Sequence, residues 1–221
     1  MIRALWLVGL GHLGQAYAWT IGFLTPGSRP VFLQDVDLVT ESTLSTSMVS
    51  HVSDQGQEKT RVVAHWLDAR GYRIALVERR FDEAQRARPE EPNTALFGVD
   101  NATARRGIEA AGFRLVIDAG LGSGFNDFRA LRVRTFPGPS SAAALWASGA
   151  EWRTPLAAAY RRLLAGGADP CRVTTLAVRA VGAPFVGCVA AGYVIAPSAS
   201  ADNWVRGSWG FWTSTCVNRN D

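Results

Sequence analysis

Lysine is almost missing from this chain. Of its 23 basic residues only Lys59 is a lysine, and the other 22 are arginines. Cysteine is scarce too: Cys171, Cys188 and Cys216 form no Cys-x-x-Cys pair, which excludes a zinc ribbon, and an odd count at wide spacing argues against a disulfide scaffold and for a reducing cytoplasm. The three histidines, His12, His51 and His65, have no metal-ligand spacing. No uncharged apolar run reaches the 18 or more residues of a membrane span. The longest late one, 181 to 196, is interrupted by Pro184 and reads as a buried helix in which Cys188 packs as a small hydrophobe. There is no internal repeat.

The net charge of +4 and pI near 9.3 are basic, but the arginines alternate with acids, as in ERRFDEAQRARPEE at 78 to 91. That pattern is a solvated face, not the one-sign stripe of a nucleic-acid groove. With 48% apolar and 19% charged residues, the 221-residue chain has globular composition and is long enough for one substantial core. A single domain over 1–196 is expected, followed by a Trp-rich tail over 197–221 that fits no regular element.

Strand and helix alternate along the chain. ALWLVGLGHLGQAYAWTIGFL reads as strand, glycine turn and helix. PVFLQDVDLV at 30–39 reads as a second buried strand ending at Asp35 and Asp37. A polar segment then allows at most a short helix. From Gln57 to Arg70 the apolar Val62, Val63, Trp66 and Leu67 fall at helical spacing, which puts Lys59 in a first helical turn. Strands are predicted at 73–78, 94–99, 114–119 and 129–136. Helices are predicted at 101–111, with Asn101 as N-cap and Gly112 as stop, and from Thr154 through Leu164. The alternation implies a three-layer α/β fold.

Three pieces carry chemistry. Gly9, Gly11 and Gly14 have Gly-x-Gly-x-x-Gly spacing after a strand and at the start of a helix, with Asp35 about 20 positions on, where a ribose hydroxyl would be held. Lys59 survives in a chain that uses arginine for every other positive charge. A compact ammonium suits phosphate oxygens in a crowded site better than a planar fork. Asp100, at the end of a predicted strand, is placed to hold a magnesium ion on a polyphosphate, unless it serves with Asn101 only to cap the next helix.

Taken in order, the glycine motif, QDVDLV, ESTLSTS, SDQGQEKTRVVAHWL and VDNATARR resemble the adenylating domain of the ThiF/MoeB superfamily, the activating enzymes of ubiquitin and ubiquitin-like sulfur carriers. The resemblance runs over residues 4 to 120, with an echo in GAPFVGCVAAGYVIA. It implies a Rossmann-like fold with a mostly parallel sheet, ATP and magnesium as cofactors, and adenylation of a carboxylate on a small β-grasp protein or a metabolite. By position it implies phosphates over Gly11 and its neighbours, ribose on Asp35 with Asp37 beside it, Lys59 on the phosphates, magnesium on Asp100, and Asn101 and Arg105 in the family's Asp-Asn-x-x-x-Arg segment. It also implies a homodimer.

This chain departs from the family where an Asn-Leu-x-Arg segment is usual. It has Thr43 and Thr46 in place of the asparagine and arginine, and that loss of a phosphate clamp leaves open a catalytically impaired nucleotide- or partner-binding relative. The glycine motif and Asp35 alone would also suit an NAD-dependent oxidoreductase, which needs neither Lys59 nor Asp100.

Overall fold

The computed structural model describes residues 4–121, 131–147, 183–195 and 208–211, together with Arg162, Ala165 and Gly166. Its centre is a seven-stranded sheet built from β1 (Leu5–Val8), β2 (Val31–Gln34), β3 (Ile74–Val77), β4 (Thr94–Phe97), β5 (Leu115–Leu121), β6 (Leu131–Phe136) and β7 (Ser208–Phe211), in the order β3-β2-β1-β4-β5-β6-β7. The first five strands are mutually parallel, whereas β6 runs antiparallel to β5 and β7 antiparallel to β6. The chain order reverses at β1, so the crevice between β1 and β4 is a topological switch point, the place where open α/β sheets take ligands.

Alternate residues of each strand feed two cores. On one face Leu5, Leu7, Leu33, Leu96 and Ile117 pack under α1 (His12–Ile21) and α3 (Lys59–Asp68), joined by residues of a late apolar helix, Ala183–Ile195. On the other, Trp6, Val8, Phe97, Val116 and Phe136 meet α4 (Ala102–Arg106) and α5 (Ala142–Leu145). The late helix is α6. A short α2 (Glu41–Leu44), capped by Thr40, lies between β2 and α3. The fold is the three-layer, mostly parallel arrangement expected.

Several boundaries differ from the sequence reading, each for a local reason. The second strand stops at Gln34, because the Asp35 carboxylate accepts from the backbone N–H groups of Val36 and Asp37 and turns the chain. The helix after Asn101 ends at Arg106, where Gly107 passes so near Glu83 that a Cβ would come within 2.9 Å of its Cα. Helix α6 is not buried all round: Phe185 is 67% exposed and Cys188 is exposed. A helix apolar on every side gives no periodic signal of which face packs, and here Gly187 takes the contact, lying against Ala16 and Thr20 of α1. Four residues of the Trp-rich tail form β7. The helix predicted from Thr154 lies outside the described residues apart from Arg162, as do Cys171 and Cys216. Among the described residues no helix is long and apolar enough to cross a membrane.

Candidate nucleotide site at the carboxyl edge of the sheet

The glycine turn divides its labour. Gly9 has φ +80°, and a Cβ there would press on Val99. A Cβ on Gly14 would fall 1.8 Å from the Gly9 carbonyl oxygen, so both positions are closed to side chains by packing of α1 on β1 and β4. Gly98, at the end of β4, completes this contact against Gly14, and the motif did not reveal it. Gly11 is different: a Cβ there would meet nothing within 4 Å. It is the N-cap of α1, whose first turn has no side-chain cap and no acid. Open space before uncapped N–H groups at the positive end of a helix is a place for phosphate.

Asp35 ties this turn to β2. Its Oδ2 accepts from the Leu10 N–H at 2.6 Å while Oδ1 accepts from Val36 and Asp37. The carboxylate is thereby fixed beside the cradle, with lone pairs to spare for a ribose hydroxyl.

Lys59 is the first residue of α3, as its spacing predicts. An isolated antiparallel bridge between Leu38 and Glu58 draws the start of α3 against the turn after β2. The Lys59 backbone N–H then donates to the Asp37 carbonyl, and its Nζ donates to Asp37 Oδ2 at 3.2 Å. The Lys59 side chain is only 11% exposed and that of Asp37 is 54% exposed, so the ammonium is nearly enclosed behind its carboxylate partner. Arg80, three residues beyond β3, approaches the other oxygen of Asp37 at 3.9 Å.

Beyond β4, Asp100 is exposed and has no hydrogen bond or ion pair among the described residues. Asn101 caps α4, its Oδ1 accepting from Thr103 and Ala104. Arg105 is engaged by the ends of two strands. Its Nε donates to the Val99 carbonyl at 2.7 Å and one terminal nitrogen to the Ala119 carbonyl at 3.1 Å, locking the ends of β4 and β5 together. Arg105 Nε also lies 3.2 Å from Asp118 Oδ1. Because the N–H points at Val99, that contact is Coulombic, and Asp118 Oδ1 receives no hydrogen bond among the described residues. Burial raises the Asp118 carboxyl to about 6 against the lowering pull of Arg105 and Arg134. Arg134, opposite Asp118 on β6, is itself pushed down, first by burial and then by Arg132. Tyr17, fully buried, is raised well above its ordinary range by burial and by Asp118. It stays protonated and donates to the Phe97 carbonyl.

On the α1 side the residues after α2 form a polar wall. Thr46 is buried and its hydroxyl bonds the imidazole of His12, the first residue of α1. Gln15, fully buried, donates to the Leu10 carbonyl and accepts from the Ser47 hydroxyl and from the backbone and hydroxyl of Ser50. Nothing in the sequence marked Gln15. Asp118 was visible as a lone acid in an apolar strand. Among the described residues no group of three or more His, Cys, Asp or Glu could hold a metal, so a metal here would rest on one protein carboxylate plus ligand oxygens, a donor set that suits magnesium.

A family model described as the BilD C-terminal domain matches residues 1–201. A protein of Collimonas sp. (strain OK412), named bacterial E1-like protein BilD, is 45% identical over 193 residues, which cover 85% of this chain and 42% of that protein. The chain thus spans less than half the length of this relative. Two solved structures of E. coli MccB share the fold. The one with ATP has a TM-score of 0.56 at 13% identity, covering 87% of this chain and 56% of the other. The one with succinimide has 0.60 at 14%, covering 96% and 60%.

Proposed function

Because the chain belongs to the BilD C-terminal domain family, we propose that it is the adenylating unit of an E1-like protein, one that uses ATP and magnesium to activate a carboxylate. The single observation that carries this reading is that four features follow the carboxyl ends of neighbouring parallel strands. They are an open Gly11 after β1, Asp35 after β2, Lys59 held to Asp37 of that same turn, and an exposed Asp100 after β4 with no partner among the described residues. A structure of E. coli MccB, a protein of like fold, contains ATP, which supports a nucleotide as the ligand.

The chemistry follows from those groups. A carboxylate oxygen of the acyl substrate attacks the α-phosphorus. The bond from that phosphorus to the oxygen bridging the β-phosphate breaks, and pyrophosphate leaves with the electron pair, so no proton-transfer base is required. Such a step needs alignment and charge neutralisation. Gly11 and the α1 N-terminus would cradle phosphate, Asp35 would hold the ribose, Asp37 would hold Lys59 in place, and Lys59 would neutralise phosphate charge. Asp100 is the residue that would hold magnesium, which when bound would neutralise phosphate oxygens. Asn101 and Arg105 act as positioning residues, fixing the loop that carries Asp100. The acyl partner we propose is a small β-grasp protein or a carboxylate metabolite, and the acting species a homodimer.

A second reading, a relative that binds nucleotide or partner without turnover, is favoured by one observation: Thr46 occupies the arginine position and is tied to His12. Calorimetric titration of the full chain with ATP plus magnesium and separately with NAD, repeated on Lys59→Ala, tests the proposal. ATP binding that falls tenfold or more in the variant, about 1.4 kcal/mol, supports it. Binding of NAD alone would overturn it. ATP binding without pyrophosphate exchange, when carboxylate partners are supplied, would favour the second reading.

A further inference from the structure

Resting on the nucleotide reading above, we propose that Arg80 supplies the phosphate-clamping guanidinium that the Thr46 position lacks. The two positions are far apart in sequence, Thr46 following α2 and Arg80 following β3.

Arg80 follows β3 by three residues, and Asp37 follows β2 by three. Since β2 and β3 are parallel with Gln34 level with Val77, both residues rise from the same edge of the sheet. There one carboxylate is shared by two cations of different kinds. Lys59 Nζ meets Asp37 Oδ2 at 3.2 Å, and Arg80 Nη2 stands 3.9 Å from Oδ1. Two converging cations on one carboxylate form an anion site, with the carboxylate as its intramolecular occupant and a net positive charge left over. A polyphosphate brings several charges and is a stronger claimant.

The two cations differ in what release costs them. Lys59 is nearly enclosed, so its position is set by α3. Arg80 is 79% exposed and its contact is long, an ion pair worth little in water and therefore cheap to exchange for a phosphate. Its planar fork also offers paired donors to phosphate oxygens, which the ammonium does not. In adenylation the charge that develops is on departing pyrophosphate, so an exposed guanidinium sharing Asp37 with Lys59 acts on the β- and γ-phosphates. Arg61, the arginine nearest to Lys59 in sequence, is instead engaged by Glu58 and Glu78.

The test compares ATP plus magnesium with AMP, by calorimetry on the full chain, for wild type, Arg80→Ala, Arg80→Lys and Lys59→Ala. Arg80→Ala is expected to weaken ATP tenfold or more, to change AMP less than twofold, and to leave the urea midpoint unmoved because the side chain is exposed; Arg80→Lys recovers part of the loss. Unchanged ATP affinity in Arg80→Ala, with Lys59→Ala still weakened, overturns the clamp and spares the nucleotide reading. An equal loss for AMP and ATP also overturns it, placing Arg80 on the nucleoside end. If wild type binds no ATP, the nucleotide reading fails and takes the clamp with it.

Discussion

Lys59 and Asp37, 22 residues apart, meet twice: the lysine backbone N–H donates to the aspartate carbonyl at 3.0 Å, and its Nζ donates to the carboxylate at 3.2 Å. The first bond fixes where α3 begins. The second fixes where the one lysine ammonium sits. A lysine so enclosed is not replaceable by the longer, planar arginine that the chain uses elsewhere. Lys59→Arg is expected to bind ATP no better than threefold tighter than Lys59→Ala; full recovery of affinity by arginine, measured calorimetrically, would show that the compact ammonium is not required.

The glycine turn makes two opposite predictions. Gly14→Ala places a methyl 1.8 Å from the Gly9 carbonyl oxygen, with backbone on both sides, and should cost more than about 3 kcal/mol in urea unfolding. Gly11→Ala meets no atom within 4 Å and should change stability by less than about 1 kcal/mol, while weakening ATP binding because the methyl fills the phosphate approach. Equal effects on stability from the two variants would contradict this division of roles.

Asp118 predicts a pH dependence. Its folded carboxyl titrates near 6 against an ordinary value of 3.8, so between these values the folded state holds more proton than the unfolded one. Stability from this group is therefore fully present below the ordinary value and is lost as pH rises through 6. The shift of about two units corresponds to on the order of 3 kcal/mol as an upper bound. The difference in unfolding free energy between wild type and Asp118→Asn should fall from pH 4 to pH 7, and a difference constant across that range would refute the assignment.

Gln15 serves four hydrogen bonds in a fully buried position. Gln15→Leu keeps the size, strands the hydroxyl hydrogens of Ser47 and Ser50, and leaves the Ser50 N–H with Ser47 Oγ as its one remaining acceptor. A loss of about 2–4 kcal/mol is expected, with faster hydrogen exchange at Ser50. An unfolding midpoint within error of wild type would mean that water satisfies these groups.

Much of the arrangement was legible in one dimension. The glycine spacing announced the strand, turn and helix at Leu5–Ile21, the apolar spacing of Val62, Val63 and Leu67 put Lys59 in a first turn, and Asn101 announced its own cap. These features depend on residues within a few positions of one another, which local steric and hydrogen-bonding rules govern. Arg105 read as a site residue from its motif, yet packing turned its fork onto the Val99 and Ala119 carbonyls and toward Asp118.

The sequence by itself determined the alternating α/β plan, the glycine turn between β1 and α1, and the candidate carboxylates Asp35 and Asp100. Only the tertiary structure decided that Asp37 holds both Lys59 and Arg80, that Gly98 closes the glycine turn, that β6 and β7 run antiparallel, and that Cys188 faces outward. Each of these depends on strand order or on which side of a helix packs, and such choices are made by burial summed over distant segments, which no local periodicity encodes.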